Sequence, residues 1–415
     1  MIMDKLYLKR KKYYLIISFL LVLCSCTQRD NAPEVSFAFT NNISEELIPI
    51  KYEHNGIYFP VILEDSISCD LFLDSGTGEL VFDAAFFAEN KEILGMDINP
   101  FVLYPVYAPY GLKVKYSTVF DSSHKRDSLK LQIGSLLFYD AHPVVFGGKH
   151  DYIGIFPMRT LGKEKIVNVN VKEKYIALLD SITNKDDSIS FTINPHTTAP
   201  IIKMSITINK MDTCYQINGN FLIDLGTRNA LLFSESILET ELRNIPYDEY
   251  IVLSSAIQGF SSEKKTYNST ISFGMGNLSI QNAEITYSAF LPPNITGVVG
   301  MDFLEHFNFA VDYNSLLFHY HCLDSVIVKE PFLQNKSGYG LYISKSDANN
   351  DIYIVGLLKN GKGDSLGIKL NDKVVKVDDI EVNSTNYEAL YDSLANPKPM
   401  TIKRKDGSII QTYIN

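Results

Sequence analysis

Residues 71–82 (LFLDSGTGELVF) and residues 221–233 (FLIDLGTRNALLF) decide the fold, because they present one pattern twice. Each is an apolar strand that ends at an aspartate, Asp74 or Asp224, followed by a turn containing Gly and Thr and by a second apolar run. A chain that repeats this turn can bring two carboxyl groups together across a pseudo-twofold axis. Two carboxyl groups in contact cannot both ionise easily, so we expect one to keep a proton while the other is charged.

The repeat extends well beyond the two aspartate turns. A pair of strands with alternating polarity precedes each aspartate, which is the pattern of a hairpin. Candidate flaps follow each aspartate at a similar separation along the sequence, with Gly111 in the first copy and Gly259 in the second. Residues 134–141 then match residues 276–283, and residues 152–154 (YIG) match residues 298–300 (VVG). Five features in the same order predict a duplicated, mostly β fold.

These matched segments, roughly residues 48–322, resemble the aspartic protease clan, with two retropepsin-type lobes fused in one chain as in the pepsins. The resemblance implies a bilobal, double β-barrel acid-protease fold in which Asp74 and Asp224 activate a water to hydrolyse a peptide bond. It implies no metal and no other cofactor. Acid and base have to coexist at one pH for this chemistry, and a pair of carboxyl groups sharing one proton provides both.

The resemblance also implies roles for the residues around the two aspartates. Gly76 and Gly226 let the backbone turn sharply at close approach, and Gly154 and Gly300 lie in the strands behind. The flap candidates and the side chains expected to support the catalytic turns are Tyr107, Tyr110, Gly111, Gly259, Ser75, Thr77 and Thr227.

We expect the Thr77 and Thr227 hydroxyls to bond the outer carboxylate oxygens, and Ser75 to donate across the lobe interface. Leu225 departs from the family pattern, which has Thr or Ser there. Because Leu cannot make the reciprocal bond, the sequence predicts that the second turn is held only by packing and by Thr227. Weak or absent activity is therefore an open alternative.

The C-terminal segment, residues 336–415, resembles a PDZ domain, a small β fold with one or two helices. Residues 338–341 (Gly338, Tyr339, Gly340 and Leu341) are similar to the carboxylate-binding loop, and residues 370–377 (LNDKVVKV) are close to another PDZ run, with Asn371 in place of the usual Gly. The resemblance implies that these backbone amides capture a chain-terminal carboxylate, while the peptide adds as a strand beside residues 341–344. The alternative is a module that only packs against the lobes.

The N-terminal 25 residues predict a bacterial lipoprotein signal peptide, because a basic run is followed by an apolar segment too short to span a bilayer comfortably. Residues 23–26 (LCSC) resemble a lipobox, which implies cleavage before Cys26 and lipidation of its thiol in the bacterial cell envelope. An ordinary signal peptide is the alternative. Removal of residues 1–25 takes away five of the 38 basic and one of the 48 acidic residues, so the net charge changes from −10 to −14. This charge argues against nucleic acid as a partner.

The predicted organisation is a tether over 26–47, lobe 1 over 48–180, a linker over 181–189, lobe 2 over 190–323 and the PDZ domain over 336–415. Beyond Cys26, the three cysteines Cys69, Cys214 and Cys322 allow one disulfide and require none. His319, His321 and Cys322 invite a metal interpretation, but they follow an apolar strand and lack a clear further ligand, so we interpret them as strand-end residues.

Three functions remain open from the sequence. The first is an aspartic endopeptidase acting on peptide or protein substrates, anchored to a membrane through its N-terminal lipid. The second is a peptide-binding lipoprotein that has kept the cleft without hydrolysis, for which Leu225 is the best support. The third is a β-rich scaffold with no chemistry in a cleft.

Overall fold

The computed structural model describes most of the chain, in these ranges: 36–39, 45–95, 97–107, 113–120, 128–146, 152–182, 187–195, 198–210, 212–234, 236–237, 250–256, 259–288, 291, 294–330, 338–345, 350–394, 396 and 398–412. The predicted signal peptide, the lipidation candidate Cys26 and the flap residues Tyr110 and Gly111 lie outside the described residues. The protein is mostly β, which confirms the predicted fold class at that level. No helix within these ranges is long and apolar enough to cross a membrane.

The first half of the molecule is built on the strand that ends at Asp74. Its elements are β1 (Ser36–Phe39), β2 (Glu45–Pro49), β3 (Lys51–Glu53), β4 (Gly56–Leu63), β5 (Ile67–Asp74), β6 (Val81–Asp83), α1 (Ala84–Leu94), β7 (Asp97–Tyr107), β8 (Lys113–Phe120), β9 (Leu129–Ile133), β10 (Leu136–Ala141), β11 (Val144–Phe146), β12 (Gly154–Pro157) and α2 (Met158–Leu161). β4 and β5 form an antiparallel hairpin, and β12 pairs parallel to β5 on its other edge. β6 then pairs antiparallel to β12 and parallel to β11.

The second half repeats this pattern of pairing. Its elements are β13 (Ile166–Asn170), β14 (Tyr175–Leu179), β15 (Asp187–Ile193), β16 (Pro200–Lys210), β17 (Thr213–Ile223), β18 (Leu231–Ser234), β19 (Tyr250–Ala256), β20 (Gly259–Phe273), β21 (Ser279–Ser288), β22 (Gly297–Val299), α3 (Met301–Leu304), β23 (Phe307–Asp312), β24 (Leu317–Cys322) and β25 (Val326–Val328). β16 and β17 form the hairpin, β22 pairs parallel to β17, and β18 lies antiparallel to β22 and parallel to β21. The two aspartates therefore sit at equivalent places in two equivalent sheets.

The strand registers correct one detail of the predicted repeat. Gly154 lies opposite Phe82, and the residue that lies opposite the equivalent Phe233 is Gly297. A methyl group on either glycine would collide with a backbone carbonyl, at 2.5 Å from Val81 O for Gly154 and 2.7 Å from Leu232 O for Gly297. The match of Gly154 with Gly300 is therefore wrong by three residues. The counterpart of Gly300 is Pro157, because each directly precedes the short helix behind its aspartate turn.

A six-stranded sheet joins the two halves, in the order β2, β14, β13, β23, β24, β15. Its centre is the antiparallel pair of β13 and β23, in which Asn168 lies opposite Ala310, so three strands from before residue 180 meet three strands from after it. β2 and β1 fall within the predicted tether, and β1 pairs with β10. The tether over 26–47 is thus wrong for residues 36–39 and 45–47, which belong to the folded body. β15 likewise begins inside the predicted linker.

The apolar core separates the chain into two packed bodies. One cluster of buried residues runs continuously through both halves, from Ile48 to Phe318. A second cluster belongs to the C-terminal module alone, from Tyr339 to Ile402. Each body therefore has its own core, as expected of separate domains.

The C-terminal module is a small sheet with two short helices. Its elements are β26 (Leu341–Lys345), β27 (Ile352–Leu358), α4 (Lys362–Ser365), β28 (Lys373–Val377), β29 (Ile380–Glu381), α5 (Tyr387–Ser393), β30 (Met400–Lys403) and β31 (Ile409–Thr412). β27 lies between β26 and β28 and also pairs antiparallel with β19, where Tyr250 lies opposite Leu358 and Val252 opposite Gly356. One edge of the second half thus continues into the module.

The close contacts of Gly154 and Gly297 predict that neither tolerates a side chain. We expect Gly154→Ala and Gly297→Ala each to lower the free energy of unfolding by about 1–3 kcal/mol, because the added methyl meets a backbone carbonyl that cannot move freely. Gly78→Ala is the matched control, since its nearest neighbour would be Thr198 Cγ2 at 3.9 Å. Denaturant titrations of the three variants measure the effect. Equal stability of Gly297→Ala and Gly78→Ala would contradict the corrected register.

Candidate active site

The two halves deliver their aspartates from the same structural position. Asp74 is the last residue of β5 and lies opposite Pro157 of β12. Asp224 directly follows β17, and its amide donates to Val299 O of β22 at 3.0 Å. Both are buried, with 7% of Asp74 and 2% of Asp224 exposed. The apolar strands that precede the aspartates hold them within the core between the halves.

The carboxyl groups of Asp74 and Asp224 meet across the interface and are hydrogen-bonded to each other. Each carboxyl group also packs closely against the turn of the opposite half. A methyl group on Gly76 would lie 2.6 Å from Asp224 Oδ1, and one on Gly226 would lie 2.7 Å from Asp74 Cγ. Only glycine leaves enough room for the two turns to approach this closely.

The hydrogen bonds around the two carboxyl groups differ. Asp224 accepts from the Gly226 amide at 2.9 Å and from the Thr227 hydroxyl at 3.0 Å. Asp74 accepts from the amides of Gly76 and Gly226. Burial raises the pKa of both groups, and the neighbouring charge of Asp224 raises the pKa of Asp74 well above its usual range. The Thr227 hydroxyl favours the charged form of Asp224, so we expect the proton of the pair to reside on Asp74.

Ser75 ties the two catalytic turns together. Its hydroxyl donates to Ile223 O at 2.8 Å and accepts from the Leu225 amide at 3.0 Å, so both bonds cross from the first half to the second. Leu225 is fully buried in the apolar core. The prediction that the second turn is held only by packing and Thr227 is therefore wrong, because the Ser75 hydroxyl also holds it. It is the first turn that lacks a side-chain bond from residue 225, since Leu has no polar atom to offer.

The two threonines behave differently. The Thr227 hydroxyl donates to Asp224 Oδ2, as expected. The Thr77 hydroxyl instead exchanges bonds with the backbone of Glu79, donating to its carbonyl at 3.4 Å and accepting from its amide at 3.3 Å. The predicted bond from Thr77 to the carboxylate of Asp74 is therefore corrected. This difference adds to the asymmetry of the pair, because Asp224 has a hydroxyl donor that Asp74 lacks.

Hairpins stand where the flaps are predicted. β7 and β8 pair antiparallel up to Tyr107 opposite Lys113, so the residues between them include Tyr110 and Gly111. β19 and β20 pair up to Ala256 opposite Gly259. Tyr107 and Gly259 thus close the described parts of the two hairpins. Their role in covering a substrate stays a prediction.

A cavity of about 90 Å³ lies beside the first catalytic turn. The polar residues and turn residues that line it are Gly78, Glu79, His142, Pro157 and Thr160. Burial raises the pKa of the Glu79 carboxyl, and within the described ranges no cation pairs with it. The acidic residue of this cavity, Glu79, follows Asp74 by five residues in the sequence.

The predicted carboxylate-binding loop of the C-terminal module leads directly into β26. Gly340 has a φ of +69°, which lets the loop turn as it enters the strand, and its carbonyl accepts from the Leu358 amide at 2.8 Å. The Tyr339 side chain is fully buried, with its hydroxyl donating to Lys398 O at 2.7 Å, and the Gly338 amide donates to Leu394 O. Lys362 Nζ lies 5.1 Å from the centre of the Tyr339 ring, so a positive charge stands next to the loop.

Residues that the sequence analysis did not assign also surround the second catalytic turn. Asn55, Tyr58, Arg228 and Asp302 were not singled out. In the structure, Asn55 and Tyr58 of the first half bond to Arg228 of the second. Only the duplication offered a signal for these contacts, because the hairpin that precedes one aspartate has to lie near the turn of the other.

No group of three or more His, Cys, Asp or Glu side chains converges to hold a metal ion anywhere in the part of the chain that the structure describes. His319, His321 and Cys322 lie at the end of β24, and the Cys322 thiol donates to Asp324 O at 2.8 Å. Cys69, Cys214 and Cys322 are free thiols. No family model matches this sequence, and no curated protein is significantly similar to it.

The raised pKa of Asp74 predicts an unusual dependence of stability on pH. A carboxyl group whose pKa is raised in the folded state contributes stability below its ordinary pKa, 3.8, and loses that contribution as the pH rises through the folded-state value. Asn cannot ionise, so we expect Asp74→Asn to be more resistant to denaturant than the wild type at pH 7, with the difference closing as the pH approaches 4. Denaturant midpoints between pH 4 and pH 8 measure this.

Asp406→Asn is the control of opposite sign. The hydroxyl and amide of Ser408 lower the pKa of Asp406, so this carboxylate contributes stability above 3.8, and its loss makes the variant less stable at neutral pH. If Asp74→Asn also lost stability at pH 7, the assignment of a buried shared proton to this pair would be wrong.

Proposed function

We propose that this protein is an aspartic endopeptidase, with a bilobal pepsin-like catalytic region followed by a PDZ domain. One observation carries the proposal: two buried carboxyl groups, from equivalent turns of a duplicated fold, lie in contact, and burial together with the neighbouring charge of Asp224 raises the pKa of Asp74 well above its usual range. Structural Asp-Gly turns do not need this arrangement, because each carboxyl group could cap its own turn in isolation. Burying two acids in contact costs free energy, and groups with such perturbed pKa values are concentrated at functional sites.

The geometry supports a division of labour between the two carboxyl groups. The Asp224 carboxylate takes a proton from a water that lies between the pair, and the hydroxide attacks the carbonyl carbon of the scissile peptide bond. The Asp74 carboxyl gives its proton to the carbonyl oxygen, which produces a neutral diol. Asp224 then gives its proton to the amide nitrogen while Asp74 takes one back from a hydroxyl of the diol, so the C–N bond breaks and an amine and a carboxylic acid are released. No covalent enzyme intermediate and no metal takes part.

The neighbouring features support a peptide as the substrate. In this proposal the hairpins β7–β8 and β19–β20 are the flaps that cover an extended chain in the cleft between the halves. The cavity beside Glu79 supports a pocket for a substrate side chain near the first turn. An N-terminal lipid on Cys26 would place this activity at the bacterial cell envelope, and that localisation is part of the proposal.

A non-hydrolytic peptide binder is the second candidate, and a specific observation favours it. Leu225 leaves the first catalytic turn without the bond that a hydroxyl at this position would give. Catalysis is sensitive to small displacements of reacting groups, so a looser pair binds peptide without cleaving it. Retention of both aspartates and of the Ser75 bonds argues for hydrolysis. A β-rich scaffold, the third function, would need none of these bonds.

Cleavage of a diverse peptide mixture by the purified protein, from pH 3 to pH 8, tests the proposal. We expect the wild type to cleave, and Asp74→Asn and Asp224→Asn each to lower the rate by at least about 1,000-fold, because each removes the acid or the base. Asp406→Asn is the matched control, an exposed carboxyl group in a distant turn, and is expected to cleave like the wild type. Equal cleavage by the wild type and both active-site variants would exclude this pair as the catalytic group.

The C-terminal module supports binding of a chain terminus. The loop at Gly340, the adjacent strand β26 and the charge of Lys362 supply amides, a strand edge and a cation for a carboxylate. We expect the full-length Asp74→Asn protein to bind peptides with a free C-terminal carboxylate about tenfold more tightly than the same peptides with an amidated end. Isothermal titration with both peptide forms measures this. Equal affinities would indicate that the module only packs against the catalytic region.

A further inference from the structure

A hairpin of the first half reaches the second catalytic turn. β3 and β4 pair with Glu53 opposite Gly56, so His54 and Asn55 form a two-residue turn, and both have positive φ, at 51° and 56°. Such a turn matches the twist of the two strands and is well defined. It presents the side chain of Asn55 at its tip, on the side of the hairpin that faces the second half.

The Asn55 amide joins two different parts of the second half. Its Nδ2 donates to Arg228 O at 3.2 Å and to Asp302 Oδ1 at 3.2 Å. The reverse orientation of the amide would place its oxygen against a carbonyl and a carboxylate, so only one orientation satisfies these contacts. The other carboxylate oxygen of Asp302 is paired with Lys329. Both hydrogens of the Asn55 amide are therefore used.

The two acceptors belong to the support of Asp224. Arg228 lies four residues after Asp224, at the end of the catalytic turn. Asp302 lies in the first turn of α3, and the amide of its neighbour Met301 donates to Thr227 O at 2.8 Å. The hairpin thus holds both the turn and the helix packed behind it.

The side chain of Arg228 makes a second hydrogen bond between the halves. Its Nη2 donates to the Tyr58 hydroxyl of β4 at 3.2 Å. The Tyr58 ring packs against Phe72, with centroids 5.3 Å apart, and Phe72 lies two residues before Asp74. A side chain of the second turn therefore bonds to the sheet that carries Asp74. Leu225 cannot make a polar contact in this direction.

We propose that Asn55 and Arg228 are positioning residues that keep the two aspartates in register, supplying the tie between the halves that Leu225 does not. This inference rests on the proposed function, because its main readout is catalysis. Neither residue touches the carboxyl oxygens of the pair. Both act through the second catalytic turn, Asn55 by holding the backbone of Arg228 and Arg228 by holding Tyr58.

Asn55→Gly tests the first tie, with Asn282→Gly as its matched control. Both asparagines have a φ of 56° and donate Nδ2 to a backbone carbonyl, but Asn282 bonds to Lys329 O, away from the pair. Gly removes the side chain without strain at this φ. We expect Asn55→Gly to lower kcat roughly tenfold with little change in KM, because the pair is displaced in the transition state. Asn282→Gly is expected to keep the wild-type kcat, and equal kcat values for the two variants would overturn the proposal.

A cycle of Arg228→Met, Tyr58→Phe and the double variant tests the second tie. Arg228→Met keeps the carbonyl that Asn55 bonds and removes the contact with Tyr58. If the two side chains act through their mutual bond, the double variant loses no more kcat than the more damaging single variant. Multiplicative losses would show that they act independently and would contradict this part of the proposal.

A measurement without turnover separates failure of this proposal from failure of the proposed function. A looser second turn admits water to the aspartate pair, so the pH at which stability falls should move about one unit towards the ordinary carboxyl range in Asn55→Gly and stay unchanged in Asn282→Gly. Among the described residues, Tyr313 lies in electrostatic reach of both Asp74 and Arg159, and burial keeps Tyr313 neutral by raising its pKa. If the wild type cleaves no peptide, the protease proposal fails, while this shift still decides whether Asn55 positions the pair. An equal midpoint in both glycine variants would exclude that role.

Discussion

Contact between two buried carboxyl groups is the constraint on which the rest of the structure depends. Two negative charges at hydrogen-bonding distance in an interior repel strongly, and the pair is tolerated only because it keeps one proton. Each element next to the pair either brings the groups together or supplies a donor. The glycines remove side-chain bulk between the turns, the backbone amides of the turns donate to the carboxyl oxygens, and Ser75 fixes the distance between the halves.

The duplicated fold brings the two aspartates together by its symmetry. The chain nevertheless departs from that symmetry in several places. Thr227 bonds its aspartate whereas Thr77 bonds the backbone of Glu79. Ser75 bonds across the interface whereas Leu225 packs in the core. Pro157 stands where the second half has Gly300 and has no amide to donate, whereas the Gly300 amide bonds to Ala230 O. Because all three differences leave Asp224 with more donors or a better supported turn, the charged and protonated roles are assigned to particular residues rather than shared equally.

Sequence reasoning reached the aspartates and the hairpins before them because those features are local and repeat. It also matched residues 134–141 with residues 276–283, and both segments begin with a glycine of positive φ, Gly134 and Gly276. It misplaced the counterpart of Gly154 because two glycines, Gly297 and Gly300, lie three residues apart in the second half, and only strand register distinguishes them. Residues 36–39 and 45–47 were assigned to a tether because a short edge strand has too few residues to show a period.

The contacts between the halves were beyond sequence reasoning for a different reason. Asn55 and Arg228 are 173 residues apart, and nothing in either local pattern specifies the other. A polar residue in a hairpin turn is expected for turn geometry alone, so its second role is visible only when the opposing turn is placed beside it. The partner of Thr77 was missed for a local reason. A nearby backbone group competes with the carboxylate for its hydroxyl.

The pairing of β19 with β27 connects the β19–β20 hairpin to the C-terminal module by backbone hydrogen bonds. β19 is one strand of the second flap hairpin, and its three paired residues occupy the edge of β27 opposite β26. Backbone pairing of this kind is directional, so β19 cannot move away from the module without breaking the pairing or carrying β27 with it. β27 also pairs with β26, the strand that follows the Gly340 loop. The proposed terminus-binding loop and the proposed flap are therefore attached to opposite edges of β27. Their positions are therefore physically linked, although the catalytic region and the module have separate apolar cores.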